Sequence, residues 1–355
     1  MVGRISQDLV TTGFAYVTLV PMYSTFEFTS PDGTVLEGWT NNGTGPPILV
    51  CNGLGVSPEA WPRLLDPECG YRVVGYNHRG TMGSARPDDP SRIRIDDHVA
   101  DALAVLDHTG IDKALLVAWS YGVNVSFELT REHPDRVAGL VMCAGVPGGT
   151  LDSAFAPLLI PRQLRKPISL AVAKAGELIG PQLNALAKFV PVNRTTADVM
   201  RYTGMIMPSA RSEDIVPWLD SFVKQDFAWY FHLFPAAGEH ERIDPSFVEV
   251  PVTVAAGGMD ALTSMLDVVA FAKEIEHAQI HVLRGTHFIP LEFPDEIMAM
   301  IDDVLIRSQL APEQVVEQRT SVIDIRTYDG QTYYEHKATA FHASEQSETK
   351  AKETG

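Results

Sequence analysis

Ala114-Leu115-Leu116-Val117-Ala118-Trp119-Ser120-Tyr121-Gly122 is the stretch on which the reading of the fold turns. Its first half is a short apolar run without alternation, the pattern of a strand buried on both faces of a parallel sheet. From Val123 to Glu132 the apolar residues recur with a helical period, which Pro134 stops. A serine at a sharp turn between a buried strand and a helix projects its hydroxyl above the sheet edge. Small residues must flank such a turn, because it is strained and tightly packed. Here they are Ala118, where glycine is more usual, and Gly122. An isolated serine in this position could equally cap the following helix, so the surroundings have to decide.

The surroundings repeat the alternation. Pro47 to Cys51, Arg72 to Tyr76 and Val137 to Met142 are further short apolar runs, and Ile95 to Thr109 has a helical repeat that Gly110 ends. Phe26 to Phe28 and Val35 to Trp39 flank Pro31-Asp32-Gly33 and read as a hairpin. Alternating strands and helices imply a mostly parallel sheet with right-handed crossovers, an α/β fold. From about Gly149 to His240 the strand pattern vanishes. The segment is rich in Leu, Ala and Met, and Pro161, Pro167, Pro181, Pro191 and Pro208 punctuate it. Strands return at Val250 to Ala255 and Gln279 to Leu283, and a last helix spans about Pro294 to Ser308. The expected organisation is therefore a core over residues 1–148 and 246–310, a helical insertion over 149–245, and a polar, acidic extension over 311–355. Within that extension, runs around Asp329-Gly330 suit a small hairpin, and the last dozen residues read as disordered.

Composition narrows the function. The 355 residues are 45% hydrophobic and 21% charged, an ordinary globular balance. Twenty-eight basic residues against 45 acidic ones give a formal charge of −17. That argues against non-specific binding to nucleic acid or to an anionic membrane, which needs clustered Lys and Arg. Cys51, Cys69 and Cys143 match no zinc motif and no disulfide framework. Cys51 and Cys143 sit in strand-like runs and read as core residues. Leu9 to Val20 is mildly apolar but carries Thr11, Thr12 and Thr18, so neither an export signal nor a stable membrane insertion is expected. The expectation is a cytoplasmic location.

A serine hydroxyl needs a base, and the base needs an orienting acid. Asp260 follows the strand Val252 to Ala256 through Gly257-Gly258-Met259, and His287 follows the strand Ile280 to Leu283 in Arg284-Gly285-Thr286-His287-Phe288. Both stand just past strand C-terminal ends, where open α/β sheets build their sites. Together with Asn52-Gly53-Leu54-Gly55 and Asn77-His78-Arg79-Gly80-Thr81-Met82-Gly83-Ser84, these motifs make Phe26 to Ser308 resemble the α/β-hydrolase superfamily, whose triad runs serine, acid, histidine.

The resemblance implies roles. Ser120 would be the nucleophile, His287 the general base and acid, and Asp260 the group that orients the imidazole. The backbone N–H groups of Leu54 and Tyr121 would form the oxyanion hole. Asn52 stands where the family commonly has histidine, so it would organise its loop by a different hydrogen bond. The Asn-Gly form also resembles intracellular medium-chain polyhydroxyalkanoate depolymerases, a pointer to hydroxyacyl esters. Asn77-His78-Arg79-Gly80 replaces the usual Asp-x-Arg-Gly and reads as structural. A serine nucleophile sets aside members resembling haloalkane dehalogenases or epoxide hydrolases, which need a carboxylate there, and cysteine-dependent polyester synthases. Asp152 and Asp267 are rivals to Asp260. The other histidines (His98, His108, His133, His232 and His277) read as surface or packing residues.

The apolar insertion, with residues such as Leu158, Leu159, Trp218, Phe222 and Phe234, is where the family carries its cap. With Trp119 beside the serine, it suggests a hydrophobic acyl pocket in which Asn52 and Trp119 take part. The expected activity is hydrolysis of a hydrophobic carboxylic ester through an acyl-enzyme, with a small-molecule substrate and no metal or organic cofactor. Two alternatives stay open: an acyltransferase or perhydrolase on the same triad, and a non-catalytic binding member of the fold.

Overall fold

The computed structural model describes residues 23–155, 160–310, 323–328 and 331–336. The readings made of Leu9 to Val20, of Leu158 and Leu159, and of the last dozen residues lie outside the described residues. Strands β1 (Ser24–Thr29), β2 (Val35–Thr40), β3 (Pro47–Cys51), β4 (Arg72–Tyr76), β5 (Ala114–Trp119), β6 (Val137–Cys143), β7 (Val252–Gly257) and β8 (Gln279–Leu283) form one sheet. Its order is β1-β2-β4-β3-β5-β6-β7-β8. The β1–β2 and β2–β4 pairs are antiparallel, and every pair from β4 to β8 is parallel. This is an α/β-hydrolase architecture: a mostly parallel sheet flanked by helices.

The continuous apolar runs have the expected cause. Every residue of β5, β6 and β7 is buried, because helices cover both faces. Successive residues serve opposite layers. Leu116 and Ala118 pack with Val99 and Leu106 of α1 (Ile95–His108), Phe127 of α2 (Tyr121–Glu132) and Phe271 of α8 (Met265–Ala272). Leu115 and Val117 pack with Ile301 and Val304 of α10 (Pro294–Arg307) on the other face. Buried Arg79 fastens one end. Its guanidinium donates to Asp101 of α1 at 2.7 and 2.8 Å and to Asp32 of the β1–β2 turn at 2.5 Å. So Asn77-His78-Arg79-Gly80 is structural, as its sequence suggested.

Among the described residues, five α-helices lie between β6 and β7: α3 (Thr150–Ser153), α4 (Arg162–Ala187), α5 (Arg194–Tyr202), α6 (Ser212–Val223) and α7 (Phe227–Glu239). Here the sequence reading needs correction. Pro167 and Pro181 do not punctuate the segment; α4 runs through both. An interior proline costs a helix about 3 kcal/mol, and packing against α7 offsets it. Gly176 and Gly180 bring the two helices together: a Cβ at Gly176 would stand 2.4 Å from the Phe231 ring, and one at Gly180 2.3 Å from the Ala228 backbone. A short helix, α9 (Ile289–Glu292), precedes α10. Beyond the sheet, β9 (Ile323–Tyr328) and β10 (Gln331–His336) pair antiparallel as a separate hairpin. No helix among the described residues is long and apolar enough to cross a membrane.

Candidate active site

Ser120 stands between β5 and α2 with φ 55° and ψ −113°, a conformation that non-glycine residues rarely adopt. The neighbours enforce it. A Cβ at Gly122 would lie 1.9 Å from the Cys51 carbonyl oxygen, so the turn after β5 can press against the end of β3 only with glycine there. On the other side a Cβ at Gly145 would lie 2.7 Å from the Ser120 carbonyl oxygen. The helix begins at Tyr121, two residues earlier than its apolar period suggests, because the turn ends at the serine itself.

The three residues singled out in the sequence meet. The Ser120 hydroxyl donates to His287 Nε2 at 2.8 Å, and His287 Nδ1–H donates to Asp260 Oδ2 at 2.8 Å. This tautomer is the one the network requires, since a carboxylate can only accept. Asp260 is buried, and its other oxygen accepts the Leu262 and Thr263 amides, each at 2.8 Å. The Gly-Gly-x-Asp spelling has a steric origin: a Cβ at Gly257 would stand 2.2 Å from the Thr286 carbonyl oxygen, where β7 meets the histidine loop. The rivals are elsewhere. Asp267 lies 3.8 Å from both Arg162 and Arg165, and Asp152 sits in α3 with no hydrogen bond to His287.

Trp119 and Asn52, expected at the acyl pocket, are both buried. Trp119 is 1% exposed and Asn52 2%, and their polar atoms are spent on the scaffold. The Trp119 indole donates to the His287 carbonyl at 2.8 Å. Asn52 donates to the Val56 carbonyl at 3.2 Å and accepts the Trp61 indole N–H at 2.6 Å. Both side chains therefore tie together the loops that carry the site. The different hydrogen bond expected of Asn52 is this pair. Its loop carries Leu54, which packs with Trp229 and Leu233 of α7. The amides of Leu54 and Tyr121 take no part in the loop and cap hydrogen bonds among the described residues.

Sequence reasoning missed the residues that brace this arrangement. Glu292 is buried and accepts the Thr286 amide at 2.8 Å, the Thr286 hydroxyl at 2.6 Å and the Met207 amide at 2.8 Å. It therefore ties the histidine loop to the inserted helices. Gln225 donates to the Gly55 carbonyl at 2.6 Å, and the Trp229 indole to the Arg79 carbonyl at 2.7 Å. Glu292 gave a faint signal, an acid in the apolar run Ile289-Pro290-Leu291; the other two gave none. Behind Tyr121 the rings of His78 and His98 stand perpendicular to it, with centroids 5.3 and 5.5 Å away. Burial, followed by the nearby His98, depresses the His78 imidazole to about 3. Burial pushes the Cys51 thiol up to about 12, and Cys51, Cys69 and Cys143 are all free and buried. Among the described residues no cluster of three or more His, Cys, Asp or Glu could hold a metal ion.

The family described as the alpha/beta hydrolase fold matches residues 46–294. A Caulobacter segnis protein designated a carbamate hydrolase is 36% identical over 117 residues, which are 32% of this chain and 43% of that protein. This chain thus aligns with less than half the length of that relative. A 3-oxoadipate enol-lactonase of Acinetobacter baylyi is 24% identical over 269 residues, 74% of this chain and 89% of its own. The crystal structure of an enol-lactonase from Burkholderia xenovorans superposes with a TM-score of 0.59 at 21% identity, over 79% of this chain and all of that one. That likeness is one of fold.

Proposed function

The chain belongs to the α/β-hydrolase family, and on that premise we propose that it is a serine hydrolase that cleaves a carboxylic ester of a hydrophobic acyl group. The observation that carries the reading is the unbroken hydrogen-bond chain from Ser120 through His287 to Asp260. In it, His287 Nε2 takes the hydroxyl proton as Ser120 Oγ attacks the ester carbonyl. The oxyanion forms against the Leu54 and Tyr121 amides, each such donor contributing about 3 kcal/mol to barrier lowering. His287 then returns the proton to the departing alkoxide, leaving an acyl-serine. Water, deprotonated by the same nitrogen, releases the acid. Asp260 holds the imidazole in the required tautomer and stabilises its charged form.

The helices inserted between the core segments are read as a cap over this site. Support comes from the grip of Gln225 on Gly55 and of Glu292 on Met207. Further support is an aromatic row that runs from Phe288, beside His287, to Trp218 and Phe222 at centroid separations of 5.1 and 5.5 Å. These rings, rather than Trp119, are the proposed acyl-binding wall. The enol-lactonase relative, matched over most of both chains, favours one second reading: a lactone, in which the leaving alkoxide stays attached to the acyl group.

Hydrolysis of p-nitrophenyl esters from acetyl to palmitoyl tests the proposal. The expected result is turnover that peaks at medium or long chains and falls by about 10⁴-fold or more in Ser120→Ala, with the fold intact. Turnover that survives Ser120→Ala, or none from the folded wild type with any ester or lactone, overturns it.

A further inference from the structure

Helix α4 turns the usual pattern of a surface helix around. Such a helix buries its large apolar residues and shows polar ones to solvent. Here the face on the rest of the protein is made of small residues, Ala173, Gly176, Gly180 and Ala187. The outer face carries Leu164, Val172, Ile179 and Leu186, all exposed and spaced by eight, seven and seven residues, so they form one stripe. Leu178 beside it is 78% exposed, and Phe189 just past the helix end 84%. Ten of the fifteen large hydrophobic side chains exposed among the described residues fall between Leu164 and Met205. The helix is about 39 Å long, so the stripe is extended rather than a pit for a small molecule.

Charge says what covers it. Residues 162–190 hold five basic side chains and one acid, Glu177, in a chain whose formal charge is −17; Arg162 and Arg165 lie 3.8 Å from Asp267 and Lys174 pairs with Glu177 at 2.9 Å, which leaves two lysines. Among the described residues, Lys166 near one end and Lys188 at the other form no ion pair with an acid. A second copy laid stripe to stripe would bring basic ends against basic ends, whether parallel or antiparallel. An anionic lipid surface meets both demands. The apolar row enters the boundary between headgroups and acyl chains, while Lys and Arg stems reach up to the phosphates. Repulsion from the acidic remainder of the molecule is screened beyond roughly 8 Å at physiological ionic strength. The whole-chain charge that argued against such a surface averages over this asymmetry.

We propose that α4, with the turn that follows it, is an interfacial docking surface that seats the protein reversibly on an anionic lipid bilayer. The proposal is independent of the hydrolase reading, since vesicle binding is measured without turnover.

Its test is flotation of the full chain with vesicles of phosphatidylcholine and phosphatidylglycerol, roughly three to one, against pure phosphatidylcholine. The expected result is binding to the mixed vesicles, weaker by about tenfold or more on the neutral ones. Lys166→Glu/Lys188→Glu should remove that preference, and Leu178→Gln/Phe189→Gln should abolish binding with the thermal midpoint unchanged, because Leu178 and Phe189 are exposed. No binding by the wild type overturns the proposal, and so does equal binding by the apolar variant. A wild-type dimer that Leu178→Gln/Phe189→Gln dissociates would reassign the stripe to a second copy. Binding that appears only after removal of residues 1–22 would assign it to the chain's own N-terminal segment.

Discussion

Ser120 holds a backbone conformation that costs about 1–3 kcal/mol, and the surrounding contacts must keep paying no less than that for the turn to persist. Gly122 is the most exacting of them, since its α-carbon faces the Cys51 carbonyl with no room for a methyl group. Gly122→Ala is expected to lower stability by several kcal/mol and to cut turnover sharply, by moving the serine away from His287; paired denaturation and kinetic measurements check it. His78 makes a prediction about pH. Its folded pKa, about 3, lies below the ordinary histidine value, so the stability it confers is complete above about pH 6.5. That stability is lost as pH falls from there towards 3. His281, depressed to about 4 by burial and then by Arg307, acts in the same direction. His78→Phe should therefore flatten the decline of the urea midpoint between pH 6.5 and 4; an unchanged slope would leave the decline to His281 and to other groups. At this scale the sequence was legible where chemistry and sterics coincide. Asp260 and His287 follow strand ends, and Gly257, shortly before Asp260, marks a close approach that only glycine permits. The burial of Trp119 and Asn52 was not legible, because adjacency to a reactive residue does not say which way a side chain points.

The elements that brace the site come from distant parts of the chain. Glu292 in α9 joins the histidine loop to the segment between α5 and α6 with three accepted hydrogen bonds. Glu292→Gln exchanges one acceptor oxygen for a donor and leaves an amide or hydroxyl without its partner, at a cost of about 1–3 kcal/mol. The expected signature is a fall in kcat larger than any change in KM, since the loop carries His287. An unaltered kcat with lower stability would limit Glu292 to the scaffold. The strands were legible because a buried parallel strand writes itself as a continuous apolar run. Helix α4 was not, because the contacts that offset its two interior prolines come from α7, some fifty residues on, and leave no local mark. The stripe on α4 was equally hidden: an apolar period in a sequence does not tell which face is covered.

For the whole molecule, the hydrogen-bonded Ser120, His287 and Asp260 sit at the ends of core strands, and the helices from α3 to α7 are inserted between β6 and β7. The hydrogen-bonded chain of Ser120, His287 and Asp260 is complete without the extension beyond Leu310. A chain ending at Leu310 is expected to keep ester turnover within about twofold of the full-length protein, measured on a soluble short ester. A large loss would give the β9–β10 hairpin a part in the site. The adjacency of β6 and β7 has a consequence for biogenesis. The helices from α3 to α7 are inserted between these two neighbours, and the serine and its base are 167 residues apart. At roughly 5–20 residues per second, the ribosome needs about ten to thirty seconds to get from one to the other. From Cys143 until Val252 is made the nascent sheet ends at β6, a fully apolar strand with an open edge, and Ser120 waits longer still for its His287 partner, until the loop after β8 is made. The growing chain thus shows an apolar edge until β7 covers it, and joins Ser120 to His287 only after that edge is closed.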